Sequence, residues 1–160
     1  MQRIKIIAVG KIKESFFRES LLEYQKRLSR YCKLEIVELT DEKIADKASL
    51  KDEEKIRDLE GQRIINALKD VDATVALCIE GEMRDSVAFA NTLQQFAVQG
   101  KQTVAFVIGG SLGLSDAVKQ TAQLKLSFSP MTFPHQLMRV VLLEQVYRGY
   151  KILGAETYHK

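Results

Sequence analysis

The chain has 160 residues, 46% hydrophobic and 28% charged, with 2 Pro, 2 Cys and no Trp. That length suits a single domain over residues 1–160, and the composition excludes disordered, collagenous and disulfide-stapled classes. No apolar run approaches the roughly 20 residues that span a bilayer, and Met1–Val9 is too short and too charged for a signal peptide.

The reading is therefore cytoplasmic. Cys32 and Cys78 stand apart from each other and from any His, as small apolar residues in a reducing compartment, which also argues against a structural metal. The net charge is +3, and because Lys/Arg and Asp/Glu balance over residues 1–80, the whole excess falls in residues 81–160. Such a bias fits either a solvated face or a phosphate-bearing partner.

Arg3 to Val9 alternates and then runs apolar up to Gly10, which predicts a strand feeding a helix. From Glu14, the residues Phe17, Leu21, Tyr24, Leu28 and Tyr31 recur at steps of three and four and share one helix face. Leu34, Ile36, Val37 and Leu39 predict a second strand. The charge-dominated Thr40–Lys55 reads as a flexible connection or the start of a solvated helix. Helical spacing returns at Ile56, Leu59, Ile64, Ile65 and Leu68, interrupted by Gly61.

Thr74–Ile79 is a continuous apolar run ending at Glu80-Gly81-Glu82, as expected of a strand buried on both faces. Asp85 or Ser86 caps a helix with Val87, Ala90, Leu93, Phe96 and Ala97 on its apolar stripe, stopped at Gly100. The strand Thr103–Ile108 then runs into Gly109-Gly110-Ser111-Leu112-Gly113-Leu114. Ser115 caps a short helix through Gln123, the last strand follows from Leu124 to Phe128 or Ser129, and Pro134 starts the final helix. Strands alternating with helices imply an α/β fold with a mainly parallel, helix-flanked sheet of about five strands. The loops after the fourth and fifth strands then meet at the sheet's carboxyl edge, where open α/β sheets bind ligands.

The residues at that edge exclude several chemistries. GGSLG is neither GxGxxG nor a P-loop, Ser111 is not in a GxSxG elbow, and paired carboxylates are absent from both loops. What remains is backbone with small or apolar side chains, at Leu77, Gly109, Gly110 and residues 128–133, suited to stacking and backbone hydrogen bonds with an adenosine-bearing ligand. Such a pocket contributes positioning and little chemistry, which suits a cofactor already activated, such as S-adenosyl-L-methionine.

The strings FVIGGSLGL (106–114) and LSFSPMTFPHQLMRVVLLEQVYRGYKI (126–152), the terminal YHK, IIAVGKIKE (6–14) and EGQRI (60–64) resemble the ribosomal RNA large subunit methyltransferase H family, within the trefoil-knotted SPOUT methyltransferases. The resemblance covers essentially the whole chain. It implies a C-terminal trefoil knot and a homodimer that transfers a methyl group from S-adenosylmethionine to N3 of a pseudouridine in 23S ribosomal RNA, on the assembled ribosome. Carried over by position, the cofactor site is Leu77, Gly109, Phe128, Ser129, Pro130, Met131, Thr132 and Phe133.

The catalytic candidates are His135, Arg139, Tyr158 and His159. His135 at a helix N-terminus should stay neutral, and Arg139 one turn later is able to hold a phosphate or a carboxylate. Glu144 and Arg148 form an i,i+4 pair. Tyr158-His159-Lys160 is either a frayed terminus or an aromatic-basic tail for stacking on a base and holding phosphate. N3 must lose its proton to attack, so His159 is the candidate base, acting from the tail in the partner subunit's pocket. The alternative is a ribosome- or nucleotide-binding module without catalysis, separated from the enzyme by cofactor binding.

Overall fold

Strand β1, Arg3–Val9, is buried on both faces beyond Lys5, which is why its apolar residues run together there instead of alternating with polar ones. The computed structural model describes residues 1–160 and continues with α1 (Ser15–Leu28), β2 (Lys33–Leu39), α2 (Leu50–Ala67), β3 (Ala73–Met83) and α3 (Ser86–Val98). It closes with β4 (Thr103–Ile108), α4 (Asp116–Thr121), β5 (Leu124–Ser127) and α5 (His135–Leu153). The strands form one sheet in the order β2-β1-β4-β3-β5, every pair parallel.

The period-two geometry of the central strands divides the core into two layers. Ile4, Ile6, Ala8, Val104, Phe106 and Ile108 face α1, α3 and α5, where they meet Leu28, Leu93, Leu142 and Leu143. Ile7, Val9, Ala105 and Val107 face the other way, against Ile64 of α2 and Val118 of α4. Neither layer closes without helices drawn from distant parts of the chain.

Several boundaries differ from the sequence expectation, each for a local reason. The Thr40–Lys55 run divides: residues 40–49 are irregular, and α2 begins at Leu50 because Ser49 and Asp52 exchange side-chain and backbone hydrogen bonds in a capping box. Helix α2 passes through Gly61 without interruption. A Cβ there would collide with the Ser115 side chain, so the glycine admits the cap of α4 against α2. Helix α1 stops before Tyr31, whose ring stacks on Tyr150 at 6.0 Å.

Glu80-Gly81-Glu82 was expected to end β3, but the strand continues to Met83. Leu77 and Glu82 both pair with Leu126, so the register shifts and residues 78–81 bulge out at the sheet's carboxyl end. Strand β5 ends at Ser127, short of Phe128 and Ser129, where the chain turns away from the sheet.

Arg139 is 1% exposed at the base of α5. Its guanidinium pairs with Glu38 Oε2 at 2.6 Å and donates to the Gly10 carbonyl at 2.9 Å, tying α5 to the ends of β2 and β1. Arg139→Ala removes both contacts and leaves a cavity. We expect it to cost about 3–5 kcal/mol in chemical denaturation, whereas a loss below about 1 kcal/mol would show that the pair does not hold the helix.

Candidate functional site

The chain crosses the sheet's carboxyl edge between β5 and α5. Residues 128–134 leave β5 at one edge of the sheet and return to Gly10 at the end of β1. Gly10 has φ +100°, and a Cβ on it would lie 3.1 Å from His135 Cε1, so the imidazole packs against bare backbone. Between this crossing segment, the bulge of β3 and the glycine loop 109–113 lies an open cleft of about 1080 Å³.

Its walls come from elements far apart in sequence. Leu77, Cys78 and Ile79 come from β3, Ile108 to Ser115 from the end of β4 and its loop, and Phe128, Ser129, Met131, Thr132, Phe133 and His135 from the crossing segment. Glu54, Arg57 and Asp58 of α2 border the same space. The crossing segment is held by its own serines: Ser127 Oγ donates to the Ser129 carbonyl at 3.2 Å, and Ser129 Oγ accepts the Met131 N–H at 3.0 Å. A largely apolar cleft with backbone polar groups at fixed positions matches a nucleoside-sized ligand.

The electrostatics are mild. Burial, then the Arg139 charge, lowers the pKa of His135, against the weaker opposing pull of Asp41 and Glu14, so the imidazole is neutral at pH 7. Its Nδ1 is buried and without a partner. Burial raises the Cys78 thiol, which disfavours the thiolate a nucleophile needs. Lys119 of α4 pairs with Glu80 in the β3 bulge across the rim and holds that carboxyl below its usual range. No group of three or more His, Cys, Asp or Glu is placed to hold a metal.

Of the positions expected in the cofactor site, Leu77, Gly109, Phe128, Ser129, Met131, Thr132 and Phe133 line the cleft. Pro130 does not; it sits inside the turn closed by the Ser129–Met131 hydrogen bond. Among the catalytic candidates only His135 reaches the cleft. Arg139 does hold a carboxylate, but that of Glu38, and its burial keeps it from any substrate.

Tyr158 and His159, beyond the end of α5, pack back against that helix, away from the cleft. Tyr158 donates to Glu144 Oε1 at 3.3 Å and packs edge-on against Tyr147, and His159 Nδ1 lies 3.3 Å from Arg148 Nη1. The Glu144–Arg148 pair forms as its spacing predicts, at 2.5 Å. His159 borders a second cavity of about 390 Å³ with Arg84, Ser86 and Gln145, which shares Leu126 and Phe128 with the cleft. Sequence reasoning missed the α2 contribution. Glu54, Arg57 and Asp58 carry only the signal of a charged helix face, and nothing local says which face meets the cleft.

A parallel sheet with a glycine loop and a returning C-terminal segment around one nucleoside-sized cleft defines an α/β ligand-binding fold, and the sequence says which one. Residues 2–159 match the family described as "Predicted SPOUT methyltransferase", and the chain belongs to that family. It is 55% identical over 157 residues to "Ribosomal RNA large subunit methyltransferase H" of Clostridium botulinum (strain Langeland / NCTC 10281 / Type F), covering 98% of this chain and 99% of the relative. The protein of the same name from Bacillus pumilus (strain SAFR-032) is 53% identical over the same shares.

Among solved structures, a probable methyltransferase from Bordetella pertussis Tohama I superposes with a TM-score of 0.57 at 14% identity, covering 93% of this chain and 96% of that one. The SpoU methyltransferase AviRb from Streptomyces viridochromogenes gives 0.51 at 13% identity, over 98% of this chain and 62% of that one. These two likenesses establish the shared fold. The methyl donor of the family is S-adenosylmethionine.

Proposed function

We propose that this protein methylates N3 of a pseudouridine in 23S ribosomal RNA on the assembled ribosome, as a cytoplasmic homodimer. The observation that carries the reading is the cleft itself, in which residues 109–115 and 128–135, the two stretches that carry most of the family resemblance, enclose one space. The 55% identity to a ribosomal RNA methyltransferase over almost the full length supports the substrate class. The path of residues 128–135 back across the sheet edge supports a trefoil-knotted C-terminal segment.

In this reading Leu77, Gly109, Phe128, Ser129, Met131, Thr132 and Phe133 hold the cofactor, with Pro130 shaping the turn behind them. S-adenosylmethionine, when bound, supplies a methyl group made transferable by its cationic sulfur. The apolar lining excludes water and holds the acceptor in line, the main contribution a protein makes to such a displacement. Neutral His135 completes the cleft wall. Because Tyr158 and His159 do not reach the cleft of their own subunit, they act in the partner's, where His159 takes the N3 proton.

The test is incubation of large subunits lacking the modification, intact ribosomes lacking it, and free 23S RNA with the protein and labelled cofactor, followed by mass spectrometry. One methyl group on a pseudouridine, added to ribosomes and not to free RNA, is the expected result. Cofactor binding with no methyl transfer to any of the three would instead favour the non-catalytic ribosome-binding module.

A further inference from the structure

Glu60 is a buried carboxylate without an ion-pair contact. It lies on α2 at 4% exposure, and no ion pair of the chain includes it. Arg63, three residues on along the same helix, is occupied by Glu42 and by the Thr40 carbonyl. Keeping an unpaired buried carboxylate is costly, and a fold that retains one normally has a use for it.

Its surroundings point toward the cleft. Oε2 accepts the Glu42 N–H at 3.0 Å, and Oε1 lies 3.3 Å from where a Cβ on Gly110 would stand. A water-sized void of about 10 Å³ is lined by Glu60, Asp41 and Glu42 together with Gly110, Ser111, Leu112 and His135, and these last four residues also line the cofactor cleft. The carboxylate therefore stands behind a single thickness of glycine-loop backbone, and at Gly110 no side chain intervenes. Burial, reinforced by the nearby Asp41 and Glu42, raises its pKa, while the Glu42 N–H and Arg63 favour the ionised form.

We propose that Glu60 is the counter-charge for the sulfonium of S-adenosylmethionine, its field acting through Gly110 to favour the cationic methyl donor over the uncharged thioether that remains after transfer. The inference rests on the cofactor reading above. Transfer moves the methyl to N3, the S–CH₃ bonding pair stays on sulfur, and the N3 proton leaves with the base. The attraction to Glu60 ends with the sulfonium charge. Glu60 thus acts as a positioning and selectivity residue and touches no reacting atom, and it gives the EGQRI stretch a role that secondary structure alone does not supply.

The test is titration calorimetry at pH 8 of the wild-type protein, Glu60→Gln and Glu60→Met with S-adenosylmethionine and, separately, S-adenosylhomocysteine. Gln keeps an acceptor for the Glu42 N–H at the same length, and Met keeps the length alone, so at least one neutral variant should fold. The expected result is S-adenosylmethionine binding weakened about tenfold, the size of one partly screened charge interaction, with S-adenosylhomocysteine within about twofold of wild type. Equal losses for the two ligands would make Glu60 a structural support and overturn the proposal, as would unchanged binding of both. Failure of the wild-type protein to bind either ligand would overturn the cofactor reading beneath it.

Discussion

Gly109→Ala weakens S-adenosylmethionine binding by about 100-fold or more, equivalent to about 2.7 kcal/mol or greater. A Cβ at this position would stand 2.8 Å from the Gly113 carbonyl carbon, 2.9 Å from its oxygen and 3.0 Å from Leu114 Cδ2. Two of those three atoms are backbone, so no side-chain rotation relieves the collision and the loop itself must open. The same loop forms one wall of the cleft. Its displacement removes the surface on which the ligand rests, while the two core layers, to which the loop contributes Leu114 alone, persist.

Gly110→Ala is the internal comparison. Its added Cβ meets Glu60 Oε1 and Val9 Cγ1 at 3.3 Å, both side-chain atoms with some freedom to give way, and we expect a loss below about tenfold. Calorimetry on both variants, with circular dichroism to confirm folding, separates the outcomes. Gly109→Ala binding within about threefold of wild type would remove the glycine loop from the cofactor site.

Deletion of Tyr158–Lys160 lowers turnover by about 100-fold or more and leaves the affinity for S-adenosylmethionine unchanged. A positioned general base contributes roughly 10²–10⁴ to rate, and the tail contributes nothing to the cleft of its own subunit. The structural cost is small: the edge-on contact of Tyr158 with Tyr147 at 5.0 Å and the Arg148 guanidinium over the Tyr158 ring at 4.7 Å are together worth about 1–2 kcal/mol.

The same deletion offers a test of action in trans. A tailless subunit keeps a working cleft, and a Gly109→Ala subunit keeps a working tail. Mixed under conditions that allow subunit exchange, the two inactive variants should regain activity, because heterodimers pair one intact cleft with one intact tail. Activity that stays absent on mixing, with heterodimers demonstrated, would place the tail's role in its own subunit. Full activity of the deletion variant on ribosomes would give the tail no catalytic role at all.

What was legible in the sequence follows the range of the forces involved. The strands over residues 3–9 and 103–108 were readable because burial on both faces demands an uninterrupted apolar run, and Asp85 and Ser115 were readable as caps because a cap bonds to a backbone N–H three residues on. The cleft residues from the glycine loop and the 128–135 segment were readable for another reason: long strings there resemble a known family. The extension of β3 to Met83 was not legible, since the bulge at residues 78–81 is set by pairing with Leu126 more than 40 residues away.

The site shows the same division. The sequence by itself determined the α/β class, the order of its elements, the family and most of the residues that line the cleft, because periodicity, capping and residue strings are all properties of neighbours along the chain. Only the tertiary structure decided that Arg139 is spent on Glu38 and Gly10, that Glu60 stands unpaired behind Gly110, and that Tyr158 and His159 lie outside the cleft of their own chain. Each of those outcomes depends on which groups meet across separations of up to 129 residues. A charge or a hydrogen-bonding group takes its role from the partner that burial brings to it, and that partner is chosen by the packing of the whole sheet.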